Sequence, residues 1–210
     1  MVSMTDYIKF FVALLSVVNA VGSIPVYINL TRNLTGKEGL RAARIAATTS
    51  CVVLLVALFS GETVLRFFGI SIASFRVGGG ILLLLMAISM MHARMSPAKY
   101  TPEEAKDKEE SDAVAVVPLG LPLLAGPGAI STVIVYSNRI NSWESYGILA
   151  GIIVLIAFST WGILRGSVYI ADFLGRTGIN IITRIMGLII AAIAVEFITN
   201  GLKQIFPALM

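Results

Sequence analysis

Two long apolar segments of this chain are interrupted, one by Asn19-Ala20-Val21-Gly22-Ser23-Ile24-Pro25 and the other by Leu121-Pro122-Leu123-Leu124-Ala125-Gly126-Pro127-Gly128-Ala129-Ile130-Ser131. Proline removes a backbone donor and clashes with the preceding helical turn, and glycine unwinds a helix at low cost. In a bilayer such breaks are tolerated only where protein or a water-filled cavity satisfies the freed backbone groups. Each break falls in the first apolar segment of one half of the chain, and this pairing indicates the binding site of a transporter.

The composition is that of an integral membrane protein. Of the 210 residues, 57% are hydrophobic and 13% are charged, whereas a soluble domain carries roughly 25% charged residues. The single cysteine, Cys51, excludes a disulfide framework within the chain. The net charge of +4 is attributed to membrane topology, because the sequence has no basic patch interleaved with aromatic residues, as nucleic-acid binding would require. The expected partners are therefore the lipid bilayer and a small solute, with no nucleic acid.

The apolar segments predict six membrane spans. A helix crosses the hydrocarbon core in about 20 apolar residues. On this basis the spans are predicted at residues 7–30, 41–61, 72–93, 113–138, 145–165 and 181–203. The predicted fold class is an all-α integral membrane protein whose first and fourth helices are discontinuous.

Lysine and arginine predict the orientation. They concentrate in three of the segments between spans, at residues 31–44, 94–112 and 165–184. Cytoplasmic segments carry the excess of these residues. These three segments are therefore expected in the cytoplasm, and both termini are expected outside the cell (inner) membrane.

The two halves of the chain resemble each other in order. Residues 1–95 form a first three-helix unit, 96–112 a polar cytoplasmic linker, and 113–210 a second three-helix unit. When the two units are aligned, Asn19-Ala20 falls against Gly126-Pro127, so the two breaks coincide. Three helices per unit is an odd number, so the second unit inserts upside down and an inverted repeat is predicted. A repeat that serves structure alone is the alternative.

The breaks supply a candidate binding site. A helix that restarts after a break exposes N–H groups and a partial positive charge at its new N-terminus, and such a terminus binds a carboxylate or phosphate. The candidate substrate-binding residues are Asn19, Ala20, Gly22, Ser23, Pro25, Gly126, Pro127, Gly128, Ala129, Ser131 and Thr132. Because most are small, the site suits a compact molecule that carries both a carboxylate and an ammonium group. The alternative is two proline kinks that only shape helix packing.

The residues around both breaks carry a resemblance to a known family. The run Asn19-Ala20-Val21-Gly22-Ser23-Ile24-Pro25-Val26-Tyr27-Ile28-Asn29-Leu30, and the run from Pro122 to Ser131, are similar to signatures of the MarC family. The resemblance covers essentially the whole chain, including the arginine–glycine run at 76–80. One departure is Ala20, because the family usually has proline after the asparagine.

The resemblance carries expectations of its own. The MarC family comprises six-helix inner-membrane proteins and includes archaeal small neutral amino acid transporters. The resemblance implies transport of glycine, alanine and similar amino acids, driven by a proton or sodium gradient. No cofactor and no bound metal are expected beyond that coupling ion.

Ionisable residues inside the spans are the next candidates. A charge at mid-bilayer is costly and marks a functional hypothesis. Glu196, well inside the last predicted span, is the candidate carrier of a coupling proton. The alternatives are a hydrogen bond to a helix neighbour and a position nearer the outer interface. Arg76 and Arg184, which begin the third and sixth spans, are expected to extend to the lipid headgroups. The alternative is one arginine near each mouth of the pathway, paired with carboxylates.

Small residues repeat at four-residue spacing in the fifth span. Gly147 and Gly151 form one such pair, and Gly162 and Gly166 form another. They are expected to allow close helix approach within the chain. Contact between two copies in a homo-oligomer is the alternative.

The predicted function is a secondary transporter of small neutral amino acids that works by alternating access around a midplane site. The alternative within transport is an amino acid or drug exporter, or a channel for another small solute. An enzyme is not predicted, because the sequence offers no metal-ligand cluster, no Ser/His/Asp set and no paired carboxylates. A structural membrane protein, in which both breaks would tolerate bulky substitution, is the remaining alternative.

Overall fold

The computed structural model describes residues 4–31, 34–92, 124–140 and 142–206, and only the backbone of Asn29 and Arg176. The described residues form seven helices: α1 (Met4–Val18), α2 (Ile24–Leu30), α3 (Gly36–Phe67), α4 (Ile72–Met91), α5 (Pro127–Ser137), α6 (Trp143–Arg165) and α7 (Ser167–Ile205). The predicted linker, 96–112, and the opening part of the predicted fourth span lie outside the described residues.

Four helices are long and apolar enough to cross a membrane, namely α3, α4, α6 and the part of α7 from Thr177 to Ile205. They confirm an all-α integral membrane protein, and the described ranges contain no strand. α1 and α2 together cover the predicted first span, and α5 covers the end of the predicted fourth. Each of these three is shorter than the roughly 20 residues that a crossing needs.

Side-chain caps fix where three of the helices begin. The Thr35 hydroxyl oxygen accepts the Glu38 N–H, and the Glu38 carboxylate accepts the Thr35 N–H, at the start of α3. Ser71 Oγ accepts the Ser74 N–H at the start of α4, and Ser142 Oγ accepts the Ser145 N–H at the start of α6, so each satisfies an N–H group that the helix leaves unpaired. The starts of α3 and α6 are equivalent positions when the two breaks are aligned.

Glycines bring α4 and α7 into close antiparallel contact. A Cβ placed on Gly80 would lie 2.9 Å from the Ala194 carbonyl oxygen of α7. A Cβ placed on Gly187 would lie 3.2 Å from the Ala87 carbonyl oxygen of α4. The two helices therefore approach backbone to backbone, as small residues permit in membrane proteins.

The glycines of α6 do not have this role. Gly147, Gly151 and Gly162 are exposed, and a Cβ on any of them would meet no atom of a described residue within 4 Å. The prediction that these glycines allow close approach within the chain is therefore wrong, since they face outward. Their contact with a second copy stays a prediction.

Among the described residues, two glycines have left-handed backbone, which residues with a side chain rarely adopt. Gly69 (φ 68°) lies between α3 and α4, and Gly175 (φ 60°) breaks α7. Gly175 separates the short helical piece that begins at Ser167 from the last span. The last span is therefore preceded, like α4, by a turn at a glycine.

α5 lies at the centre of the bundle. All its residues from Ser131 to Ser137 are buried, as expected of a helix that is apolar on every side. It runs antiparallel to α4, because Gly79 contacts Ser131 while Leu83 contacts Gly128. It also packs against α1 and α3. The second break, at the start of α5, is thereby placed inside the protein.

Candidate functional site

Asn19 makes the first break. Its φ of 44° is left-handed, and asparagine tolerates this conformation better than most residues. The Asn19 N–H still donates to the Leu15 carbonyl (3.0 Å), and beyond this bond the α1 ladder stops. Asn19 is buried together with Ala20 and Ser23, so the turn lies within the protein.

The turn satisfies most of its own donors. The Gly22 N–H donates to Asn19 Oδ1 (3.3 Å), and the Ser23 hydroxyl donates to the Asn19 carbonyl (3.1 Å). The Ser23 and Ile24 N–H groups donate to carbonyls inside the turn. In the first turn of α2 the Val26 N–H donates to no described residue, so one N–H group of the restarting helix remains free at this break.

The second break has the expected uncapped N-terminus. α5 begins at Pro127 with Gly126 as its N-cap residue, and no side chain caps it. The Gly128 and Ala129 N–H groups donate to no described residue, as first-turn groups do when no cap is present. Both residues are buried, so this end of the helix carries its partial positive charge inside the bundle.

The hydroxyls next to this terminus point back to their own helix. Ser131 Oγ and Thr132 Oγ1 donate to the Gly128 carbonyl, at 3.0 and 2.8 Å. Their donors are therefore used, and their lone pairs remain available to a ligand that donates. Both side chains are buried.

The two breaks approach each other through the end of α1. A Cβ on Gly128 would lie 3.3 Å from Val17 Cγ1 and 2.9 Å from Leu83 Cδ2. α1 therefore ends where α5 begins, although no described contact joins Asn19 or Ser23 directly to α5. The C-terminal end of α1 therefore lies beside the N-terminal end of α5.

Both prolines at the breaks turn outward. Pro25 and Pro127 occupy the first turns of α2 and α5, and both are exposed. Proline is well placed in a first turn because its missing N–H would have no helical partner there. These prolines shape the start of each helix, and the interior of the break is formed by their smaller neighbours.

Glu196 lies outside this cluster. Its side chain is exposed on α7, like that of its neighbour Val195. The described chain therefore does not enclose it, and its role in coupling stays a prediction.

Arg76 does not reach the headgroups as expected. It is buried on the face of α4 that also carries Gly79 and Gly80. Its Nε has no hydrogen-bond partner among the described residues. The prediction is wrong because this face of α4 packs against α5 and α7 through Gly79 and Gly80, and those helices are distant in sequence. Arg184, by contrast, is exposed.

A cavity of about 680 Å³ lies where α1 begins, α5 ends and α6 begins. We call it the α5-end cavity. Its polar lining residues are Asp6, Tyr7, Arg139, Ser142, Glu144 and Ser145. Tyr7 Oη donates to Ser145 Oγ (2.8 Å), and this bond ties α1 to α6. The cavity presents carboxylates and a guanidinium together, and no sequence pattern indicated it because its residues come from two segments that are distant in sequence.

An aromatic layer separates this cavity from the breaks. The Tyr136 ring, which lines the cavity, lies 5.2 Å from the ring of Phe10 and 6.3 Å from that of Phe197, measured between centroids. All three side chains are buried. At 1.5 Å per residue, Tyr136 lies about 12 Å along α5 from Gly128. These rings therefore lie between the cavity and the start of α5.

Comparison with known proteins identifies the family. The model of the MarC family integral membrane proteins matches residues 4–206. The chain is 42% identical to the UPF0056 membrane protein YhcE of Escherichia coli (strain K12), over 97% of this chain and 95% of the relative. It is 42% identical to the UPF0056 membrane protein BU267 of Buchnera aphidicola subsp. Acyrthosiphon pisum (strain APS), with the same coverage.

A more distant relative gives the same result. The UPF0056 membrane protein YvbG of Bacillus subtilis (strain 168) is 37% identical over 95% of both chains. No solved structure matches the chain. The family match and these full-length identities confirm the resemblance seen around the two breaks, and the chain belongs to the MarC family of integral membrane proteins.

Proposed function

We propose that this protein is a secondary transporter of small neutral amino acids, such as glycine and alanine, coupled to a proton or sodium gradient. Its substrate site lies near the membrane midplane, between the end of α1 and the start of α5. The cell (inner) membrane is its location, and alternating access around this site is its mechanism.

The observation that carries the proposal is the buried, uncapped N-terminus of α5. Its 11 residues span about 16 Å, which is half of a hydrocarbon core of about 30 Å. Because α5 ends near the polar turn that holds Arg139 and Ser142, its start lies near the midplane. The Gly128 and Ala129 N–H groups there suit a carboxylate.

The end of α1 offers the opposite charge. Among the described residues, no N–H donates to the carbonyls of Ser16, Val17 and Val18, because the ladder stops at Asn19. Carbonyls at a helix C-terminus carry a partial negative charge, which favours a cation. A carboxylate at α5 and an ammonium at α1 fit a zwitterion. The small side chains between them favour a small one.

The packing supports the inverted repeat that this mechanism uses. The alignment that superposes the two breaks also carries the start of α3 onto the start of α6. It carries Gly80 onto Gly187 and Ala87 onto Ala194 as well. Each glycine lies against the carbonyl of the alanine in the other helix, so the contact maps onto itself as a two-fold axis requires. We take this axis to lie in the membrane plane, as in transporters with inverted repeats.

The test is uptake of labelled glycine and alanine into proteoliposomes, with proton and sodium gradients imposed separately. We expect saturable uptake that follows one gradient and stops when that gradient is collapsed. Glu196→Gln is expected to remove the pH dependence, whereas an unchanged pH profile would exclude Glu196 from coupling. An absence of uptake by correctly inserted protein would contradict the substrate that we propose.

The same assay separates the alternatives within transport. A channel should conduct without saturation and without dependence on a second ion. An exporter should move substrate only from its cytoplasmic side. Substrate should therefore accumulate only in vesicles in which the cytoplasmic side of the protein faces outward.

A further inference from the structure

Arg76 is a buried cation for which the described part of the chain provides no acceptor. Its residue is only 5% exposed, and its Nε makes no hydrogen bond to a described group. It shares the buried face of α4 with Gly79 and Gly80. Those glycines contact Ser131 of α5 and Ile198 of α7, so the same face turns Arg76 toward α5 and α7.

A guanidinium in this position requires compensation. It carries five N–H donors and no acceptor, and an unpaired buried charge is among the most costly groups in a folded protein. Arg76 is close to the start of α4 at Ile72, and a side chain so near a helix end usually extends to the interface. Because it remains inside, we expect an anion to complete the site. The planar fork of a guanidinium matches a carboxylate in bidentate geometry.

The depth of Arg76 places it beside the aromatic layer. Because α4 and α5 are antiparallel and Gly79 contacts Ser131, Arg76 lies about one turn closer to the α5-end cavity than Ser131 does. Tyr136, in the aromatic layer, lies slightly further in the same direction. Arg76 therefore stands between the cavity and the helix breaks.

Arg139 is a second cation, and it lies at the cavity. Arg139 lines the α5-end cavity, and its guanidinium lies 5.0 Å from the centroid of the Tyr136 ring. The cavity lining also includes the carboxylates of Asp6 and Glu144, whereas Arg76 has no described acceptor for its Nε. Of the two guanidinium groups, one thus lies at the cavity and the other beside the aromatic layer.

We propose that Arg76 binds the carboxylate of the solute as it passes between the α5-end cavity and the helix breaks. The proposal rests on the proposed function only in taking this carboxylate to be that of the transported amino acid. Arg139 receives the carboxylate at the cavity, and Arg76 receives it beside the aromatic layer. A small monocarboxylate without an ammonium group therefore binds here as well.

The test is thermal unfolding of the purified full-length chain in detergent, at constant ionic strength, with sodium propionate, sodium chloride or propionamide. We expect a saturable rise in Tm with propionate alone. Arg76→Gln should weaken the apparent affinity for propionate by at least about tenfold. Arg76→Lys should weaken it less, because lysine keeps the charge and loses the fork. Arg184→Gln, at an exposed arginine of α7, is the matched control and should leave the affinity unchanged.

The stability of the ligand-free variants separates binding from a structural role. Removal of an unpaired buried charge is expected to maintain or raise Tm, so Arg76→Gln should fold. A ligand-free Tm well below that of the wild type, or a failure to fold, would show that Arg76 has a structural partner and would overturn the proposal. A response to chloride equal to that to propionate would also overturn it, and so would a propionate response that survives Arg76→Gln.

Uptake measurements distinguish this proposal from the proposed function. Propionate binding that depends on Arg76, in a protein that takes up neither glycine nor alanine, would support the carboxylate site and contradict the amino acid substrate. Glycine uptake with the same KM and kcat in the wild type and in Arg76→Gln would contradict the carboxylate site and leave the proposed function standing.

Discussion

Asn19 shows how a single residue ends a membrane helix and pairs part of the backbone of the turn that follows. It takes a left-handed conformation, and its side-chain oxygen accepts the Gly22 N–H. Its own carbonyl accepts the Ser23 hydroxyl. In hydrocarbon each unsatisfied backbone group is costly, so this local bonding allows the break to exist inside the bundle.

The left-handed conformation of Asn19 leads to a stability prediction. Alanine at this position should lower the free energy of unfolding by about 1–2 kcal/mol, because a Cβ without a compensating polar group is disfavoured at positive φ. Glycine should cost less, because it adopts this φ freely. Both variants lose the hydrogen bond to the Gly22 N–H. The difference between their free energies of unfolding therefore isolates the contribution of the backbone conformation at residue 19. Thermal unfolding in detergent measures it, and equal losses in the two variants would contradict the assignment.

Bulky residues at the two breaks should abolish transport and leave insertion intact. A Cβ on Gly22 would overlap the Asn19 amide, and a leucine at Gly126 would cover the uncapped terminus of α5. We therefore expect Gly22→Leu and Gly126→Leu each to reduce glycine uptake to background at normal membrane levels. Gly147→Leu, at a position open to its surroundings, is the control. Near-normal uptake in both break variants would favour a purely structural role for the breaks.

At the scale of the elements, the sequence predicted that the first span is broken, as α1 and α2 show, and did not predict which residue breaks it. Glycine and proline drew attention to Gly22 and Pro25, but Pro25 occupies a first helical turn where its missing N–H has no cost. The helix breaks at Asn19 instead. Asparagine can adopt a positive φ, as glycine does, because its polar side chain forms a local hydrogen bond. Periodic glycines likewise marked α6 as a packing helix, although spacing alone does not say which surface lies opposite.

The parts of the candidate site that are formed by adjacent residues could be predicted from the sequence. The uncapped start of α5 follows from Gly126, Pro127 and Gly128, which are adjacent in sequence. The α5-end cavity and the burial of Arg76 depend on helices that meet only in the folded chain. Sequence patterns report the face of one helix and carry no information about its neighbours, so these features could not be foreseen.

The α4–α7 contact should be sensitive to a single methyl group. Gly80→Ala would bring a Cβ within 2.9 Å of the Ala194 carbonyl, and because this obstacle is backbone the helices must separate. We expect Gly80→Ala to lose about 1–3 kcal/mol through overpacking. Gly151→Ala, with open space around it, should keep or slightly raise stability, because alanine is the better helix former. Similar Tm values for the two variants would contradict the close packing.

At the scale of the whole molecule, the two halves are expected to insert in opposite directions. Gly36 and Trp143 begin α3 and α6, and they are equivalent positions when the two breaks are aligned. If the second half is an inverted copy of the first, these equivalent positions lie on opposite sides of the membrane. The excess of Lys and Arg predicts the start of α3 in the cytoplasm and the start of α6 outside.

Cysteine labelling tests this topology. In a Cys51→Ala background, Trp143→Cys should react with a membrane-impermeant thiol reagent in intact cells, and Gly36→Cys should react only after permeabilisation. Both positions are exposed, so burial does not explain a difference. Labelling of both, or of neither, in intact cells would contradict opposite insertion of the two halves.

The most direct test of the central claim is substrate protection at the start of α5. Gly126 is extended (φ −69°) and partly exposed, so a cysteine fits there without backbone strain. In a Cys51→Ala background, saturating glycine should slow thiol modification of Gly126→Cys at least several-fold, and should leave Gly147→Cys unaffected. Equal rates at Gly126→Cys with and without glycine, in protein that still transports it, would place the substrate elsewhere and contradict the account.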